Sequence, residues 1–184
     1  MTVVYLAGKM GSGNGACDCG YAESRPHDWV EHEHGCGTGF SEGNWRLDIV
    51  GEQPILGRIT TFRSGYTYGG PWYIDRSNHG LEIDHVAGRC MGWVRDSGAV
   101  FAWISALDAH GTFAEIGYAK ALGKPVFVAF DRDRISEDQE REVWFIRQLA
   151  DEHCSVRNAG TAFAIFTHWL AARNAARLTY GSRW

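Results

Sequence analysis

Several things are scarce in this sequence, and each shortage removes a class of protein. There is no excess of positive charge: 18 Lys and Arg stand against 22 Asp and Glu, a formal net charge of −4. Binding to a nucleic-acid polymer wants a basic face, so no such partner is expected. No apolar run approaches the ~20 residues of a membrane-spanning helix, so no membrane partner is expected either. The first residues lack the charged-then-apolar pattern of a signal peptide. The five cysteines cannot all pair with one another, and a reduced, cytoplasmic setting is the simpler reading. No internal repeat is visible, and the only biased segment is one glycine-rich stretch.

What remains is an ordinary globular composition. At 184 residues and 45% apolar content, the chain is expected to form a single domain (1–184) with a substantial core. Its clearest stretch is 99–130. Ala99–Ile104 is apolar throughout, as a strand covered on both faces should be. A polar loop, a helix and a second apolar strand follow. Gly123 stands where a helix C-cap glycine belongs, with Pro125 just beyond. This is a βαβ unit, and it implies a parallel sheet.

The rest of the chain extends that pattern. Thr2–Leu6 is a β-branched run ending at Ala7-Gly8, a buried strand closed by a close-approach glycine. Asn44–Val50 opens a first helix with Asn44 as cap, and Ile59–Phe62 reads as a second strand. Ile83, Val86, Ala87, Cys90, Met91 and Val94 recur at helical spacing, which predicts an amphipathic helix over Glu82–Arg95. Ser136-Glu137-Asp138-Gln139 is a capping box opening a helix to about Ala150, and a last helix covers Thr161–Arg177. Four to five helices with about five strands make an α/β, Rossmann-like three-layer sandwich around a mostly parallel sheet. Met10–Gly43 shows neither period and is too long for an ordinary connection, so an insertion or lid is expected at about 10–43. Ser64–Gly80, rich in glycine and aromatics, reads as another loop.

In parallel sheets, ligands bind beyond the carboxyl ends of the strands, where a loop hands over to a helix. Asp108, His110, Gly111, Thr112 and Glu115 all fall there. Glu115 has two readings. Thr112-Phe113-Ala114-Glu115 fits a capping box in which Thr112 caps the helix and Glu115 bonds back. Alternatively, Glu115 is a reactive carboxylate in a pocket, kept ionised by the positive end of the helix dipole.

Three segments in order carry a resemblance: Val3-Val4-Tyr5-Leu6-Ala7-Gly8, then Gly111-Thr112-Phe113-Ala114-Glu115-Ile116-Gly117-Tyr118-Ala119, then Gly123-Lys124-Pro125-Val126. Together they resemble the nucleoside 2-deoxyribosyltransferase family over roughly Thr2–Gly8 and Ile83–Phe130. The resemblance implies a Rossmann-like fold, a homo-oligomer and a nucleophilic Glu, which is Glu115 here. It also implies an Asp on the preceding helix, where this chain has Cys90, with Asp84 about two turns away. Relatives acting on nucleoside 5′-monophosphates place a Ser in the loop before the Glu. This loop reads Asp108-Ala109-His110, which favours a free nucleoside, or an unusual base, over a nucleotide.

The implied reaction transfers a (deoxy)ribosyl group between nucleobases, with small-molecule nucleoside or nucleotide and free base as partners. It requires no organic cofactor and no metal. Asp108 is the candidate to bind or protonate the base. Tyr5, Gly8, Asp75, Asp84, His110, Gly111 and Thr112 make up the candidate substrate-binding set. N-glycoside hydrolysis and non-catalytic nucleotide binding are the alternatives.

Two further segments have split readings. Cys17, Cys19, His27, His32, His34 and Cys36 either hold a structural zinc that staples the insertion or form a solvated histidine-rich loop. Tyr68-Gly69-Gly70-Pro71-Trp72-Tyr73-Ile74-Asp75 either stacks a planar base, with Asp75 and His79 nearby, or is a surface turn. Trp93 and Trp103 are read as core, and the aromatic end from Tyr180 to Trp184 as an oligomer contact.

Overall fold

The computed structural model describes residues 2–8, 45–50, 66–69 and 83–180. Five strands form one parallel sheet: β1 (Val3–Gly8), β2 (Thr67–Gly69), β3 (Ala99–Ile104), β4 (Val126–Asp131) and β5 (Glu152–Val156). Their order is β2-β1-β3-β4-β5, with every neighbouring pair parallel. The helices are α1 (Trp45–Val50), α2 (Ile83–Asp96), α3 (His110–Ala121), α4 (Glu137–Glu142), α5 (Trp144–Leu149) and α6 (Ala159–Tyr180). The expected Rossmann-like α/β architecture with a parallel sheet is the one found.

The apolar strands alternate between two cores. Val4, Leu6, Phe101, Trp103 and Phe127 face α1 and α6, where Phe101 and Phe127 stack at 6.0 Å and Phe166 closes on both. Tyr5, Ala7, Val100, Ala102, Val128 and Phe130 face α2, α3 and α5. Each aromatic pair adds about 0.5–1.5 kcal/mol beyond the area it removes from water. Because α1 and α2 lie on opposite faces, the winding reverses between β1 and β3. That reversal is where such a sheet leaves a crevice at its carboxyl end.

Local signals behave as their chemistry requires. Gly123 adopts φ +68° past the end of α3, and the Gly123 and Lys124 amides donate to the Lys120 and Ala119 carbonyls at 2.9 and 3.0 Å. This is the glycine-terminated helix end the sequence indicates. The Ser136 capping box is present in both directions, with the Gln139 amide donating to Ser136 Oγ and the Ser136 amide to Gln139 Oε1. Asn158 Oδ1 accepts from the Thr161 amide, so α6 begins at Ala159, two residues before its expected start.

Two expectations need correction, and one strand goes unread. The helix from Ser136 to Ala150 breaks at Val143 into α4 and α5. Glu140 and Ile146 are both buried, yet six residues at ~100° each would put them on different sides of one helix; the break turns both inward. The second described strand is Thr67–Gly69, inside the stretch read as loop. Its glycine is structural, since a Cβ at Gly69 would meet Val3 at 3.0 Å and Trp93 at 3.1 Å. The edge strand β5 had no apolar signature because it is half exposed. The insertion at about 10–43, with its cysteines and histidines, lies outside the described residues. So do Asn44, Ile59–Phe62, Asp75, His79 and residues 181–184.

Candidate functional site

Helix α3 buries Thr112, Glu115, Ile116 and Ala119, a stripe at helical spacing pressed onto the sheet. Three members of the stripe are small or apolar; one is a carboxylic acid. Glu115 is 9% exposed. The capping-box reading of Glu115 fails on geometry. Helix α3 starts at His110 with Ala109 at the cap and no side-chain cap bond, which leaves Thr112 and Glu115 inside the helix. A side chain there points at the sheet, too far along to reach the cap amide.

Instead, Glu115 reaches β1. The Tyr5 hydroxyl donates to Glu115 Oε1 at 2.6 Å, between residues 110 apart in sequence. Alternation along β1 turns Tyr5 toward α3, and the Tyr5 ring is 1% exposed. Cys90 of α2, also buried, belongs to the same cluster as Tyr5, close enough for its thiol to act on both the carboxyl and the phenol. The fourth member is Arg46 of α1, 1% exposed, which donates through Nη2 to the Leu6 and Gly8 carbonyls at 3.3 and 3.0 Å. Its charge acts on Glu115 and Cys90.

These neighbours pull against burial. Removal from water pushes the Glu115 carboxyl up to about 7, although the Tyr5 bond, the Arg46 charge and the Cys90 thiol all favour the ionised form. The expectation of a carboxylate held firmly ionised by the helix dipole therefore gives way to one that changes charge near neutrality. Burial and the adjacent carboxylate raise Tyr5 well above the usual phenol range, so it remains a donor. Burial raises the Cys90 thiol to about 11. A protonated donor on a carboxyl with a neutral-range pKa suits nucleophilic or acid–base work.

The other expected residues are distributed around this core. Asp108 and Gly111 are exposed on the loop and first turn of α3, as is His110, and Thr112 is buried one turn before Glu115. A Cβ at Gly111 would meet nothing within 4 Å. Gly8 does permit a close approach, but to the chain itself: a Cβ there would meet the Trp45 ring at 2.5 Å and the Trp103 carbonyl at 3.0 Å. Trp103 is core and Trp93 packs partly buried against the same cluster as Tyr5. Asp84 lies on α2. Arg46 was missed by sequence reasoning: an arginine beside a tryptophan in a short helix gives no hint of burial. Cys90 was located, but only as a departure from a family pattern.

Among the described residues, no group of three or more His, Cys, Asp or Glu is placed to hold a metal ion, and no helix is long and apolar enough to cross a membrane. Comparison of the chain with protein-family models, curated proteins and solved structures returns no match in any of the three.

Proposed function

We propose that the protein acts on N-glycosidic bonds of nucleosides, with Glu115 as nucleophile. The observation that carries this reading is the buried Glu115 carboxyl gripped by the Tyr5 hydroxyl at 2.6 Å, on a sheet whose winding reverses between β1 and β3. A carboxyl on a packed stripe is costly to bury, and an apolar residue there would serve the fold better. Its position matches the reactive Glu implied by the resemblance to nucleoside 2-deoxyribosyltransferases.

In this reading a carboxylate oxygen of Glu115 attacks the anomeric carbon while the bond from that carbon to the base nitrogen breaks. The electron pair leaves with the base, which takes up a proton from solvent; Asp108, exposed on the loop before α3, is the candidate to bind the base. The sugar is then held as an ester on Glu115 until a second base displaces it. Tyr5 keeps one carboxylate oxygen fixed, leaving the other for attack. Only the ionised form is nucleophilic, so the rate rises with pH through about 7.

The test is chromatography of wild type and Glu115→Gln incubated with a panel of nucleosides, with and without a free acceptor base. New nucleoside from wild type alone supports the reading. Free base and sugar, unaffected by an acceptor, would make the protein a hydrolase. Tight nucleoside binding without turnover would make it a binding module and overturn the proposal.

A further inference from the structure

Thr112 and Glu115 project from the same buried stripe of α3, three residues apart, a spacing that sets their Cβ atoms about 5–6 Å from each other. Thr112 belongs to the first turn. It therefore lies one turn nearer than Glu115 to the carboxyl edge of the sheet, where the β3–α3 loop enters the helix. It is 4% exposed, and among the described residues nothing exchanges a hydrogen bond with its hydroxyl. The strands offer it no partner. Beyond Tyr5 on the same face, β1 presents Ala7, and β3 presents Ala102 in register beside it, so only methyl groups stand there. A buried hydroxyl left without a bond is costly, and a valine would fill the same space without that cost. Glu115, by contrast, has its donor in Tyr5.

The chemistry proposed for Glu115 says what such a hydroxyl would meet. Displacement at the anomeric carbon runs in line, so the carboxylate approaches the face of the sugar opposite the departing base. In a β-nucleoside, the 2′-hydroxyl of ribose projects from that same face, on the carbon next to the one attacked. Both it and the threonine hydroxyl can donate and accept, so the two can bond in either sense. We propose that Thr112 is a specificity-determining residue that binds the sugar 2′-hydroxyl, and that the substrates are ribonucleosides rather than 2′-deoxyribonucleosides. The proposal rests on reading Glu115 as the nucleophile. It gives the Thr112 hydroxyl a partner in the substrate complex. It also separates this chain from the 2-deoxyribosyl chemistry after which the resembling family is named. Bonds to a 2-hydroxyl strengthen as the oxocarbenium-like transition state forms, so the effect falls on rate as well as on binding.

The experiment compares kcat/KM for matched pairs, a ribonucleoside and its 2′-deoxy counterpart with the same base, in wild type, Thr112→Val and Thr112→Ser. Reading the change on substitution cancels the intrinsic difference in reactivity between the two sugars. Thr112→Val is expected to lower kcat/KM for the ribonucleoside by about tenfold or more and to leave the 2′-deoxy counterpart within about twofold. Thr112→Ser, which keeps a hydroxyl, restores the ribonucleoside rate. Equal losses on the two sugars would make Thr112 a packing residue and overturn the proposal, while leaving Glu115 as nucleophile. If Thr112→Val does not fold, equilibrium binding to Glu115→Gln decides. The ribonucleoside must then bind at least about tenfold more tightly than its 2′-deoxy counterpart, and equal affinities overturn the proposal. Ribose-selective binding that Thr112→Val abolishes, in a protein that converts no nucleoside, leaves the role of Thr112 standing and removes the glycosidic reading. A protein that neither binds nor converts either sugar overturns both.

Discussion

Two buried glutamates, Glu115 and Glu140, occupy nearly equivalent local settings. Each sits on a helix against the sheet, Glu115 on α3 and Glu140 on α4, and each accepts a bond from a strand hydroxyl. Tyr5 on β1 serves the first at 2.6 Å and Ser155 on β5 the second at 2.5 Å. Their surroundings differ. Glu140 ties a short helix to an edge strand, whereas Glu115 reaches the interior strand β1 with a thiol and a guanidinium acting on it. A hydroxyl–carboxyl bond alone therefore marks no site. The additional charged and polar groups, and the place in the winding of the sheet, distinguish one from the other.

Substitutions at the two positions separate them. Glu115→Gln is expected to reduce base exchange by at least about 10³-fold, because the amide cannot form the glycosyl ester. The same variant exposes the cost of burial. The folded protein raises this carboxyl from 4.5 to about 7, so it binds the proton more tightly than the unfolded chain does. Wild-type stability attributable to Glu115 is complete below about 4.5 and falls as pH rises through about 7. Relative to wild type, Glu115→Gln should therefore gain about 3 kcal/mol between pH 4 and pH 8 in denaturant titrations. A pH-independent difference would mean the carboxyl is not desolvated.

Tyr5→Phe removes a donor from the buried carboxylate and should lower turnover by about 10–100-fold, with the rising pH limb displaced upward. Gly8→Ala forces the Trp45 ring from its seat and should cost about 1–3 kcal/mol in thermal or denaturant unfolding. Smallest of all, Glu140→Gln keeps an acceptor for Ser155 and should change stability by less than about 1 kcal/mol, with turnover unaltered. A large activity loss there would erase the contrast between the two glutamates.

Legibility in the sequence followed physical cause. The β3-α3-β4 unit was readable because its strands are covered on both faces and its helix ends in a glycine with positive φ. The Ser136 box was readable because both of its bonds are local. Strand β5 was not, since an edge strand needs no apolar run, and β2 was disguised by the glycine that lets Trp93 pack. At Glu115 the local pattern misled: Thr112-x-x-Glu115 has capping-box spacing, but the cap is Ala109, three residues earlier, and both side chains turn inward. Its true partners, Tyr5, Arg46 and Cys90, are distant in sequence, and no window of neighbouring residues contains them.

The 110-residue separation between Tyr5 and Glu115 also bears on how the molecule comes into being. Strand β1 precedes the other described strands in the chain, yet it lies inside the sheet, between β2 and β3. Its pairing with β3 waits for residues 99–103, and the carboxyl it holds follows only with α3. Closing so long a loop makes this a late, entropically expensive contact whose formation coincides with completion of the sheet. Strand β2 can pair with one edge of β1 earlier, but the other edge stays open until β3 is made. Fragments or partly folded forms without β1 lack the Tyr5–Glu115 bond, so the surroundings of that carboxyl are complete only in the finished fold.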